Sequence, residues 1–86
     1  MEGRTRFSAH AEQQLRERGI DRQLVEETVG DPEQLITISR NRKIAQRVYR
    51  RLGKDFLLRV VFYEGPVAEM ITAYWTSRIS RYWRKE

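Results

Sequence analysis

Cysteine is absent from this 86-residue chain, and histidine occurs once, at His10. Disulfides are therefore excluded, and a structural zinc site has too few nitrogen and sulfur donors. No glycine loop ending in lysine is present to cradle phosphates, and no paired-glycine dinucleotide fingerprint; no cofactor is expected. Nor does any nucleophile elbow support a serine–histidine–acid triad, although composition alone permits one. A run of about 18 apolar residues, the minimum for a membrane span, is also missing. Met1 is not followed by a charged-then-apolar leader, so the expectation is a cytoplasmic protein that does not enter a membrane.

Against these absences stand 40% apolar and 34% charged residues, enough for a fold with one modest core over residues 1–86. The charge is unevenly placed. Residues 1–39 carry five basic and eight acidic groups, whereas residues 40–86 carry twelve basic and four acidic. Arginine outnumbers lysine fourteen to three, and its planar fork suits bidentate phosphate contact. A polyanion or an acidic protein is the expected partner of the C-terminal half.

Local signals order the chain. Ser8 suits a helix N-cap, Phe7, Ala11 and Leu15 form an apolar stripe, and Gly19 suits the C-terminal stop. Asp21 caps a second helix, Ile20 and Val25 have staple spacing, and "GDP" at 30–32 ends it. The period then becomes alternating. Strands are expected at 35–39, 44–52, 56–63 and 67–75, separated by the turns "RNRK", "GKD" and "EGP". A last short helix starts at Thr76 or Ser77. The expected fold is α+β: two N-terminal helices packed on a four-stranded, mainly antiparallel sheet, with a short C-terminal helix.

Alternation sorts the strand residues into two faces. Ile44, Val48, Leu52, Phe56, Leu58, Val60, Phe62, Val67, Ile71 and Ala73 form the expected core. The opposite set contains Arg47, Tyr49, Arg51, Leu57, Arg59, Val61, Tyr63, Met70, Thr72 and Tyr74. With "GKD" as a three-residue loop, Val48 pairs with Val60 and Tyr49 with Arg59. The register of the last strand is left open, because a slip of one residue exchanges Thr72 with Ile71. An uncovered face of arginine and tyrosine suits RNA: arginine neutralises phosphates, and tyrosine offers a ring for base stacking.

His10 lies at the border of the first helix's buried stripe and near its positive end, which disfavours a charged imidazole. A neutral ring is able to accept a proton as a general base; the bland alternative is packing on the sheet. Arg18, near the helix end, suits capping of terminal carbonyls or pairing with an acid.

"FSAHAEQQLRERGI" followed by "VVF…MITAYWTSRI" resembles a small prokaryotic family of unknown function whose members open with S-x-H-A, continue to R-G-I and end on a strand reading (I/V)-T-x-Y. The element order is similar to that of the RelE/ParE toxin superfamily, and the basic tail is similar to that of BrnT-type toxins. The resemblance implies a metal-independent endoribonuclease toxin that binds RNA, mRNA among its substrates, and has a cognate antitoxin protein. It carries over His10, Arg18, Gly19, Thr72 and Tyr74. The sequence departs from the pattern at Gln14, where arginine is expected, so a phosphate contact there is weakened or moved. The expected catalytic set is His10, Arg59, Thr72 and Tyr74; the expected RNA contacts are Arg18, Arg47, Tyr49, Arg51, Arg78 and Arg81. Two further readings are a ParE-like toxin or regulator that binds a protein without cutting RNA, and a simple nucleic-acid-binding module.

Overall fold

A computed structural model describes residues 5–85. The element order is β1 (Thr5–Arg6), α1 (Ala9–Arg18), α2 (Arg22–Gly30), β2 (Gln34–Thr37), β3 (Arg42–Arg51), β4 (Lys54–Tyr63), β5 (Ala68–Thr76) and α3 (Ile79–Tyr82). The class is α+β. The sheet has five strands in the order β1-β5-β4-β3-β2, one more than expected. It is mixed, because β1 pairs parallel to β5 through Thr5–Ala68 and Arg6–Glu69. A two-residue strand has no periodicity to betray it. Its anchor is the Glu26 carboxylate of α2, which accepts from the Thr5 amide at 2.9 Å.

The caps form as their residue types dictate. Ser8 Oγ accepts from the Ala11 amide at 3.1 Å, and Asp21 Oδ1 from the Gln23 amide at 2.9 Å. Gly19 adopts φ 63°, a left-handed conformation that turns α1 into α2 without a side-chain clash. Ala11 and Leu15 of α1, Ile20, and Val25 of α2 bury against Leu58, Val60, Met70 and Ala73. This is the main core, and Phe7, Leu24, Val29, Tyr49 and Trp75 pack around it.

The β3–β4 register corrects the expected faces. Arg51 pairs with Lys54, so the turn is the two-residue Leu52–Gly53 rather than "GKD". Both turn residues have positive φ, 52° and 74°, the type I′ geometry whose twist matches that of the flanking strands. Leu52, expected in the core, projects fully into solvent. Ala45, not Val48, lies opposite Val60, and Val48 lies opposite Leu57. All of β3 is thereby turned over. Arg47 and Tyr49 lie on the helix-covered face, while Ile44, Gln46 and Val48 lie on the second face with Leu57, Arg59 and Val61.

In β5 the pairing shifts between Val61–Thr72 and Phe62–Met70, so Ile71 is an extra residue in a bulge. Met70 therefore takes the core position expected for Ile71, and Val67 is exposed. Thr72 and Tyr74 stay on the second face. That face is not open. The segment 79–85 folds across it and forms a second, thinner layer.

Candidate nucleic-acid interface

Four polar side chains from two distant elements meet at the outer rim of β5. His10, Gln14 and Arg18 repeat at one-turn intervals along α1 and so lie in a row. Arg18 Nη1 donates to the Thr72 hydroxyl at 2.9 Å and to the Ala73 carbonyl at 2.8 Å. It also donates to Gln14 Oε1 at 3.4 Å. Thr72 Oγ1 donates to the same Gln14 oxygen at 2.9 Å. Arg18 thus caps neither its own helix nor an acid. It hooks α1 onto β5 at positions beyond the reach of the short β1.

These bonds fix the orientation of the glutamine. A guanidinium only donates, so the Gln14 oxygen must face Arg18 and the Gln14 nitrogen must face His10. Gln14 Nε2 lies 2.9 Å from His10 Nε2, so it is the donor and that ring nitrogen the acceptor. The neutral tautomer with its proton on Nδ1 satisfies this geometry. His10 itself is exposed, further out than the border position expected from the helical wheel.

A second polar network begins two residues along β5, on the same side of the strand. Arg59 is only 8% exposed, yet it forms no ion pair with a carboxylate among the described residues. Its Nε donates to Gln46 Oε1 at 2.8 Å, and its Nη1 donates to the Tyr74 hydroxyl. Its guanidinium carbon lies 4.3 Å from the centroid of the Tyr82 ring, a cation–π contact that offsets part of the cost of burial. Gln46, fully buried, donates in turn to Gln34 Oε1 at 2.8 Å and to the Tyr82 carbonyl at 3.1 Å. Gln34 holds the tail by both main-chain groups of Arg84: its amide donates to the carbonyl at 2.6 Å, and its oxygen accepts from the N–H at 2.9 Å.

The expected site residues therefore divide. His10, Thr72, Tyr74 and Arg59 lie in one band around β5, joined by Arg18. Arg78 and Arg81 are exposed on the tail beside it. The expectation that Arg47, Tyr49 and Arg51 share a face with Arg59 is wrong, because the two-residue turn inverts β3. Arg47 donates to the Asp31 carbonyl at 2.7 Å, pairs with Asp31 Oδ2 at 3.3 Å and lies 3.9 Å from Glu27. The Tyr49 hydroxyl donates to Glu27 at 3.1 Å and lies 3.1 Å from the Thr28 hydroxyl. Burial pushes that phenol above its ordinary pKa; Glu27 adds to the shift, while the Thr28 hydrogen bond and Arg47 oppose it. Arg51 lies with its guanidinium carbon 4.3 Å from the Trp75 ring centroid.

Sequence reasoning missed Gln34, Gln46 and Tyr82, and it treated Gln14 as a defect when Gln14 is the hub of the rim cluster. A shallow depression of about 480 Å³ on α2 is lined by Asp21, Glu26, Glu27 and Asp31 and contains none of the band residues. No helix among the described residues is long and apolar enough to cross a membrane.

Fold and band define a small α+β domain with a polar rim on β5 and a basic tail laid over its second sheet face. The chain belongs to the family described as Domain of unknown function (DUF4258), whose family model matches residues 7–75. No match is found among curated proteins or among solved structures.

Proposed function

We propose that this protein is an RNA-directed toxin component of a toxin–antitoxin pair, of the RelE/BrnT-like kind, acting in the cytoplasm. It engages RNA along the band formed by α1, β5 and the tail and cleaves it without metal. One observation carries the reading. Gln14 and Thr72, 58 residues apart, meet with Arg18 and His10 beside the Arg59–Tyr74 pair, and neither Arg18 nor Arg59 is ion-paired with a carboxylate among the described residues. Guanidinium groups free of carboxylate partners, a histidine and a tyrosine are the kinds of group that phosphodiester chemistry uses. The 2′-hydroxyl of the substrate serves as nucleophile. His10 is the base that takes its proton, Tyr74 the acid that protonates the leaving oxygen, and Arg18 and Arg59 the donors to the phosphate. The tail cations Arg78 and Arg81, which pair with no carboxylate among the described residues, extend the phosphate track, and an acidic antitoxin segment would compete for it.

A second reading has its own support. The Gln14 amide occupies the lone pair of His10 Nε2, so the ring must give up this partner before it acts as a base. A non-catalytic RNA- or protein-binding relative keeps the pair as it is. Incubation of labelled RNA with the protein in chelator separates the readings. Cleavage by the wild type, lowered about 10²–10⁴-fold in both His10→Ala and His10→Gln with RNA affinity retained, supports the base role. Binding without cleavage in all three supports the second reading, and absence of binding overturns both RNA readings.

A further inference from the structure

The tail is held on the second face as a ligand would be. Tyr82 stacks on the buried Arg59 guanidinium at 4.3 Å, and the bonds that Gln46 and Gln34 make to the tail go to main-chain groups of Tyr82 and Arg84. A cation to stack on, beside side-chain amides with both donors and acceptors, is the equipment with which single-stranded RNA is recognised. The helix of the tail adds little to that hold. The α3 helix spans four residues, has no side-chain N-cap bond and buries none of its residues. The matched family region ends at residue 75, so it includes Gln34, Gln46, Arg59 and Tyr74 and excludes the tail.

We propose that the slot over Arg59 receives one unstacked base of single-stranded RNA with its phosphate, and that Tyr82 keeps this slot closed until RNA displaces the tail. The proposal rests on the RNA-directed reading above and adds to it a subsite and an autoinhibitory contact. The base takes the place of the Tyr82 ring on the guanidinium plane. Gln46, freed from the Tyr82 carbonyl, donates to the edge of the base. Arg59 then pairs with the phosphate it lacks in the closed form, and Arg78 and Arg81 move with the tail onto neighbouring phosphates.

A slot open about one-tenth of the time weakens apparent affinity about tenfold. Tyr82→Ala empties the slot, and Gln34→Ala loosens the tail, while neither changes the charge. The test is the affinity of each variant for a short labelled single-stranded RNA, with hydrogen exchange of the tail measured in parallel. Both variants are expected to bind about tenfold more tightly than the wild type, and Arg59→Lys added to either should cancel the gain. In the wild type, RNA should speed exchange across residues 79–85. A gain in neither variant, or protection of the tail by RNA, overturns the slot while leaving the RNA-directed reading in place. Failure of every form to bind RNA overturns both.

Discussion

Arg59 owes its position to neutral partners. Gln46 accepts from its Nε at 2.8 Å, so removing that amide leaves a buried donor on a charged group without an acceptor. Gln46→Leu is therefore expected to destabilise the fold by about 1–3 kcal/mol in urea unfolding, although it adds apolar surface. A midpoint equal to that of the wild type would mean that the network holds nothing. Tyr49 makes a second residue-scale statement. Its folded pKa lies above the unfolded value, chiefly through burial, so the folded state keeps a proton that the unfolded chain loses. Its contribution to stability is complete below the unfolded value of about 10 and is lost as pH rises through the folded pKa. Tyr49→Phe should fall less steeply in stability above that pH than the wild type; parallel curves would exclude the effect. Neither glutamine hub was legible in the sequence. A neutral amide carries no charge or periodicity signal, and Gln14 acquires its role from Thr72, 58 residues away.

At the scale of elements, the helices were legible because their caps and stripes are local. Ser8, Gly19 and Asp21 act on neighbours within a few residues, and each does what its chemistry dictates. The β3 face was not legible, because it depends on whether the turn contains two residues or three, and Leu52 is a poor advertisement for a left-handed position. An L-residue there costs about 1–2 kcal/mol, and the fully exposed leucine side chain returns nothing in packing. Leu52→Asn, which tolerates positive φ, is expected to stabilise the protein by about 1 kcal/mol in thermal unfolding. The three-residue register buries Leu52 and requires a loss of about 2–5 kcal/mol instead. The bulge at Ile71 was equally hidden, though the open register of β5 marked its place. Thr72 and Tyr74 kept their expected side because the extra residue precedes them.

At the scale of the molecule, one sheet separates two chemistries. The helix-covered face buries Val60 completely, and Val60→Asp is expected to abolish cooperative unfolding, since an unpaired carboxylate there costs several kcal/mol in a small core. A variant that melts like the wild type would contradict the layer assignment. Basic residues also differ in how they are answered. Arg22, Lys43, Arg47 and Arg50 pair with carboxylates, whereas Arg18, Arg59, Arg78 and Arg81 form no such pair among the described residues. The excess of positive charge in residues 40–86 raised the expectation of a polyanion surface. It did not show where, because Lys43, Arg47 and Arg50 of that half are answered by Glu64, Asp31 and Asp55. The salt dependence of RNA binding tests the central claim most directly. It is measured for the wild type, for Arg18→Ala with Arg81→Ala, and for the equally charged control Arg47→Ala with Arg50→Ala. If RNA lies along the band, the first pair lowers the log–log slope by about 1.4, the value for two single-strand phosphate contacts, and the control leaves it unchanged. Equal slopes in the two double variants, or a fall only in the control, would contradict the account.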